Sequence, residues 1–237
     1  MFHVEQAPPS EWLSDQLREL WFGLGRLGFP VDEEQKARFS TYLSLLWLEN
    51  QKINLFSKND VHRLVSRHVL ESIGWLGVLN LQPSGRWVDI GSGAGFPGIP
   101  LKIMFPEMKL VLVESIEKKA LFLRRMIRKL ELASTMVLCE RAEVLSKQRR
   151  YRNQFRFGTA RAVSSLTNLI RWTDSFFAPG GHLFLIKGGD LSDEIKRVQN
   201  LVQKKKIRLK IYNYFIDFIT DVQSVPERKI VDVEFLK

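Results

Sequence analysis

The sequence has one cysteine and four histidines in 237 residues. Cys139 has no second cysteine to pair with, and no cysteine and histidine cluster has metal-ligand spacing. A disulfide scaffold and a zinc-type centre are therefore excluded, and no metal site is expected. A lone thiol fits a reducing compartment, so the expected localisation is cytoplasmic. No stretch approaches eighteen consecutive apolar residues, and the start, MFHVEQAPPSEW, lacks the basic beginning and apolar centre of a signal peptide. The expectation is a protein without a membrane span or membrane partner, and not exported. Internal repeats and low-complexity tracts are also missing. What is present, 45% hydrophobic and 11% aromatic residues, suffices for one large globular unit with an extension.

Acidic charge is scarce after the first helices. The formal net charge is +10, yet residues 1–35 hold seven acids against two arginines. Residues 118–161 hold thirteen basic and three acidic side chains, and a second basic run, KKKIRLK, covers 204–210. Solvated helix faces carry lysine and arginine too, but two clusters on a basic chain favour a polyanionic partner, nucleic acid first.

Hydrophobic periodicity divides the chain near residue 85. Residues 11–27, 32–50 and 59–79 carry apolar residues at helical spacing; in the second, Phe39, Leu43, Leu46 and Trp47 share a face. These residues predict a helical extension over 1–84, closed by the proline- and glycine-containing linker LNLQPSGR. From residue 85 to 237, short apolar runs (RWVDI, KLVLVES, TMVLCE, HLFLIKG) alternate with helical stretches. That alternation predicts an α/β domain with a doubly wound, Rossmann-like parallel sheet. IRLKIYNYF and RKIVDVEFL supply two further strands, seven in all if TMVLCE and FRFGTARA are strands.

At the first strand-to-helix junction stands VDIGSGAGFPGIPLKI. Glycines there let the backbone bend and approach a ligand at the carboxyl edge of the sheet. Two registers compete. Gly93, Gly95 and Gly98 spell the dinucleotide fingerprint G-x-G-x-x-G, whereas Asp89, Gly91, Gly93 and Gly95 spell D-x-G-x-G-x-G, the pattern of S-adenosylmethionine-dependent methyltransferases. In the second register Asp89 could meet the ammonium group of the cofactor. Glu114, ending the second strand, suits ribose hydroxyls under either reading. The segment FFAPGGHLFLIKG, read as a helix ending at Pro-Gly-Gly before a fifth strand, favours the methyltransferase. So does the shortage of residues for a dehydrogenase's second domain. A nicotinamide-dependent oxidoreductase and an inactive RNA-binding protein with the same fold stay open as alternatives.

VDIGSGAGFPGIPL, LVESIEKKALFLRRM, RAE at 141–143 and ARAVSSL at 160–166 together resemble the RsmG/GidB family of bacterial small-subunit ribosomal RNA methyltransferases, with NQKINLFS and HVLESI similar to its helical lead-in. The resemblance covers roughly 46–237. It implies a seven-stranded S-adenosylmethionine-dependent methyltransferase sheet, transfer to N7 of one guanine in 16S rRNA, and 16S rRNA or the small ribosomal subunit as partner of a monomeric enzyme. It places cofactor contacts at Gly91 and Phe96 in the turn, at Ala142 and Glu143, and at Arg161; Gly93 of the glycine turn and Glu114 join them as cofactor candidates by their positions. The basic residues suggest RNA contacts at Arg149, Arg150, Arg152 and Lys187. No catalytic base is expected, because guanine N7 carries a lone pair and no proton.

The chain departs from the family pattern at FRFGTARA, where Arg156 stands in place of a usual acid, and KQRRYRNQF before it reads as a basic insertion. His68, Glu71 and Ser72, at i, i+3 and i+4, can share one helical face and suit either substrate contact or an interdomain hydrogen-bond role.

Overall fold

The computed structural model describes residues 7–214 and 228–236. Helix α1 (Ser10–Arg26) and helix α2 (Glu33–Asn50) open the chain. A capping box starts α2: Asp32 Oδ1 accepts from Gln35 N at 2.7 Å, and Gln35 Oε1 accepts from Asp32 N at 2.9 Å. Glu33 and Glu34 in its first turn complement the helix dipole.

The helix expected over 59–79 is three segments. A 3-10 turn (Lys58–Arg63) leads into a π-helical turn (Val65–Leu70), and only then comes helix α3 (Glu71–Leu79). The break is held from outside: buried Gln16 of α1 donates to His62 O and accepts from Val65 N. The Gln16 side-chain amide thus replaces part of the regular ladder, which periodicity alone cannot reveal.

The sheet has seven strands in the order β3-β2-β1-β4-β5-β7-β6. Strands β1 (Arg86–Ile90), β2 (Lys109–Val113), β3 (Thr135–Leu138), β4 (Phe155–Arg161) and β5 (Phe177–Gly188) pair in parallel, and β7 (Arg228–Phe235) runs antiparallel between β5 and β6 (Ile207–Tyr214). Phe215, the expected end of the sixth strand, lies outside the described residues. Helices α4 (Gly98–Met104), α5 (Glu117–Lys129), α6 (Ala142–Leu145), α7 (Leu166–Thr173) and α8 (Ser192–Lys205) make the connections. Burial on both faces explains the continuous apolar runs. One face shares a hydrophobic core with α1 to α5 through residues such as Leu43, Trp75 and Phe184; the other packs Leu145, Ile170 and Val198 of α6, α7 and α8.

The Pro-Gly-Gly segment does not end a helix. Helix α7 stops at Thr173, and residues 179–181 lie inside β5, where the register jumps from Phe155↔Phe177 to Phe157↔His182. A Cβ at Gly181 would come within 2.8 Å of Ala178 O, so the bulge closes only on glycine.

Candidate active site

The glycine turn leaves β1 at the carboxyl edge of the sheet. Gly91 N and Ser92 N both donate to Val113 O, at 2.8 and 3.0 Å, which carries the β1–β2 pairing into the turn. Gly93 N donates to Glu114 Oε2 at 2.9 Å, and Ile116 N to Glu114 Oε1 at 2.8 Å. The Glu114 carboxylate therefore locks the turn to the end of β2 while each oxygen keeps a second lone pair for a ligand. From the opposite side, the buried Tyr42 hydroxyl donates to Ala94 O at 3.1 Å. Gly91 has φ +67°, and a Cβ there would sit 2.5 Å from Val163 Cγ2. Backbone alone faces the space beyond it.

That space is a cleft of about 200 Å³ lined by Gly91, Ser115, Arg141, Ala142, Glu143, Val163 and Trp172, among others. Three of the expected cofactor residues, Gly91, Ala142 and Glu143, thus share one cleft; Gly93 and Glu114, hydrogen-bonded to each other, do not line it, although Val113 and Ser115 on either side of Glu114 do. Glu143 lies in the first turn of α6, half-buried, with Arg141 Nη1 3.7 Å from its Oε1.

Asp89 does not face this cleft. It is fully buried, its Oδ1 accepts from Thr159 Oγ1 at 2.8 Å, and its side chain packs against the start of α4 at Gly98. Burial pushes its pKa up to about 7, only partly offset by Thr159, Ser92 and the Gly98 backbone. With Oδ1 on Thr159 and Oδ2 buried without a hydrogen-bond partner, the first acid of the motif ties β1 to β4 beneath the turn.

Phe96 and Arg161 belong to a second group beside the turn. The Phe96 ring stacks on His68 with centroids 5.1 Å apart and meets Tyr42 edge-on at 5.9 Å; the Arg161 guanidinium lies 6.0 Å from its centroid. Arg161 donates to Arg67 O at 2.6 Å and His68 O at 3.3 Å, and stands 3.0 Å from Glu71 Oε2. The other Glu71 oxygen takes Arg228 Nε at 2.9 Å, and Tyr214 donates to Glu71 O at 3.3 Å. Burial, and then the Arg161 charge, lower the His68 pKa to about 4, so the ring is neutral at physiological pH and its Nδ1 can accept from Arg161 Nη2 at 3.1 Å. Sequence reasoning noted the His68, Glu71, Ser72 spacing but missed that Glu71 joins two arginines from β4 and β7. Such a pairing across 90 residues leaves no local signal.

The expected RNA residues lie elsewhere. Arg149, Arg150 and Arg152 are exposed, on and just after a 3-10 turn (Arg149–Tyr151) that precedes β4, at the amino edge of the sheet. Lys187 is mostly buried, with Nζ 2.9 Å from Glu194 Oε2 and 3.0 Å from Ser164 O, tying β5 to α8 and to the loop after β4.

The residues present fit S-adenosylmethionine. The cleft offers bare glycine backbone for close approach, the carboxylates of Glu140 and Glu143 for hydroxyl and amino donors, and Val163 and Trp172 as apolar walls. Among the described residues no cluster of His, Cys, Asp or Glu could hold a metal ion, and no helix is long and apolar enough to cross a membrane.

Comparisons with known proteins agree with this geometry. Residues 35–223 match the family described as GidB, rRNA small subunit methyltransferase G. Among relatives, the ribosomal RNA small subunit methyltransferase G of Alkaliphilus metalliredigens is 35% identical over 180 residues, 76% of this chain and 75% of that one. That of Roseiflexus sp. (strain RS-1) is 38% identical over 177 residues, 75% of each. Among solved structures, M. jannaschii TYW2 in complex with AdoMet superposes with a TM-score of 0.55 at 14% identity, covering 79% of this chain and 80% of that one. A SAM-dependent methyltransferase from Aquifex aeolicus gives 0.53 at 18% identity, covering 76% and 99%. These two share the fold. With most of the chain matched, the dinucleotide register of the glycines is set aside in favour of the methyltransferase one. The chain belongs to the GidB family, the S-adenosylmethionine-dependent rRNA small subunit methyltransferases G.

Proposed function

We propose that this protein transfers the methyl group of S-adenosylmethionine to N7 of one guanine in 16S rRNA, as a single chain in the cytoplasm. The observation that carries the reading is the carboxyl edge, where Gly91, Ala142 and Glu143 line one cleft and Glu114 ties down the adjoining glycine turn through Gly93 N. When bound, the cofactor supplies an electrophilic methyl on a cationic sulfur, and guanine N7 offers an in-plane lone pair with no proton to remove. The residues of this chain then have to bind, orient and exclude water. Glu114 and Glu143 hold the donor by its hydrogen-bond donors, and the Gly91 backbone allows it to lie close.

Two titratable groups beside the turn are tied into the fold, which suits an acceptor that needs no deprotonation. His68 is neutral with its Nδ1 on Arg161, and Asp89 is buried with Oδ1 on Thr159. Positioning alone supplies roughly 7 to 11 kcal/mol in favourable intramolecular cases. The acceptor base gains positive charge, so nearby carboxylates and carbonyls stabilise the transition state better than arginine would. Arg161, paired with Glu71, serves as a positioning residue for Phe96 and the segment around His68.

The test is transfer of labelled methyl from S-adenosylmethionine to small-subunit rRNA that lacks this modification, followed by nucleoside analysis. The label is expected in 7-methylguanosine. Label in another nucleoside rejects the acceptor, and no transfer, together with binding of NADH instead of S-adenosylmethionine, rejects the reading altogether.

A further inference from the structure

The two basic runs are well separated in the sequence, but the topology brings Arg149 to Arg156 of the first and Lys204 to Lys206 of the second to the same edge of the sheet. Strands β1 to β6 all run one way, so the segment preceding each of them lies at the amino edge. Arg149, Arg150 and Arg152 precede β4, and Arg156 is its second residue; Lys204 and Lys206 end α8 and lead into β6. The cofactor cleft is at the other end. Along the seven residues of β4, from Phe155 to Arg161, the two edges are roughly 20 Å apart at about 3.3 Å per residue.

The arginine-rich segment is built, not loose. Tyr151 is buried, Asn153 N donates to Ser175 O at 2.8 Å and Gln154 N to Phe176 O at 2.9 Å. This fixes the exposed Arg149, Arg150 and Arg152 on one loop, next to the exposed Arg156 on β4. Ion pairs do form at this edge, between Lys205 and Asp174 and between Arg208 and Glu234. Among the described residues they leave Arg149, Arg150, Arg152 and Arg156 without a carboxylate partner. Lys204, in the last turn of α8, also complements that helix's dipole. The arginines serve no such helix end, and four guanidinium groups without a carboxylate, three on a fixed loop and one on the strand it leads into, suit phosphate oxygens.

We infer that the amino edge of the sheet is a second rRNA-binding surface, which grips the phosphate backbone of a segment distant from the methylated guanine. The inference rests on the rRNA methyltransferase reading and sharpens it. A strand that delivers its guanine to the carboxyl edge cannot reach the amino edge within one or two nucleotides. The surface therefore takes phosphates several nucleotides or more from the target, a separation that folded RNA with a second segment about 20 Å away would meet.

The experiment uses the full chain and small ribosomal subunits from cells lacking this gene. One variant combines Arg149→Gln, Arg150→Gln and Arg152→Gln, which keeps the stems and removes the charge; a second combines Lys204→Gln and Lys206→Asn. Each is expected to raise KM for the particle by about tenfold or more. The arginine variant should also flatten the log–log salt dependence of binding by about two, at roughly 0.7 to 0.9 for each phosphate no longer neutralised. S-adenosylmethionine affinity and transfer to a short single-stranded fragment carrying the target guanine are expected to match the parent. A photo-crosslinking residue in place of Arg152 should label rRNA nucleotides away from the methylated guanine. Unchanged KM and salt slope in both variants, or crosslinks confined to the flanks of that guanine or to a ribosomal protein, would overturn the second surface while leaving the activity standing. Failure of the parent to methylate the particle would instead sink the functional reading.

Discussion

The two edges of the sheet are made by the same strands and do opposite things with charge. At the carboxyl edge, charge is enclosed: Glu71 sits between Arg161 and Arg228, Asp89 is sealed under Thr159, and Glu114 is folded onto backbone N–H groups. At the amino edge, Arg149, Arg150 and Arg152 on an anchored loop, and Arg156 at the start of β4, stand in solvent. A buried charge is held by its partners and fixes geometry; an exposed one is nearly free and exerts its field on what comes near. The difference separates making a reaction site rigid from collecting a large polyanion.

The largest effect that tests this contrast is on stability. Glu71→Ala leaves two arginines, with side chains 13% and 23% exposed, without their carboxylate, and is expected to cost about 3 to 5 kcal/mol in chemical denaturation. The triple glutamine variant at 149, 150 and 152 should stay within about 1 kcal/mol of the parent, as surface substitutions do. Equal losses would erase the distinction between the edges.

Asp89 gives the next effect, through pH. Its pKa rises on folding to about 7 from an ordinary value of 3.8, so below that ordinary value the folded protein has no penalty. Between pH 4 and 7 the unfolded chain ionises this group freely and the folded one resists, so stability is lost as pH rises and the loss is complete above 7. Measured against Asp89→Asn, the parent should lose at most about 4 kcal/mol across this window. His68, with its pKa lowered to about 4, works the other way: its contribution is present above pH 6.5 and is lost as pH falls. Comparing the parent with the Asp89 variant isolates the first trend; no difference in slope would mean that Asp89 ionises as readily folded as unfolded.

Cofactor binding comes third. Gly91→Val places a branched side chain where a Cβ already meets Val163, and Glu143→Ala removes a directional acceptor. Each should weaken S-adenosylmethionine binding by about tenfold or more in calorimetric titration, the equivalent of a charged hydrogen bond of ~1.5 to 3 kcal/mol. The same titration on the triple glutamine variant should show the parent affinity. The smallest effect is expected on the chemical step itself. With saturating substrates its rate should be nearly flat from about pH 6.5 to 8.5, because N7 loses no proton and His68 stays neutral throughout. A step centred near pH 7 would assign Asp89 a part in the reaction that its sealed position argues against.

Much of this was legible in the sequence, for physical reasons that also mark where legibility ended. Apolar runs of strand length and the glycine turn specify the sheet and its ligand edge, because burial on two faces and positive φ both demand particular residue types. Pro-Gly-Gly announced an interruption, but a bulge and a helix end ask for the same residues, and only pairing with β4 distinguishes them. Asp89 was visible as a motif acid, whereas the face it turns to depends on Thr159, 70 positions on. Phe96 and Arg161 came from the resemblance; that they meet at His68 and Glu71 is a tertiary fact. The basic insertion was plain as charge. Its edge follows from strand direction, since whatever precedes a parallel strand lies at the amino end.

The central claim is methyl transfer to guanine N7 of small-subunit rRNA, and its most direct measurement is chemical. 7-Methylguanosine is cationic, and its glycosidic bond becomes labile to mild reduction and aniline cleavage. Small-subunit rRNA from cells with and without this gene, treated in this way and mapped by primer extension, should differ at one guanine, cleaved only where the gene is present and restored by adding purified enzyme and S-adenosylmethionine. Identical cleavage in both RNAs, or a methyl recovered on guanine N1 or N2, on cytosine or on ribose, would contradict it.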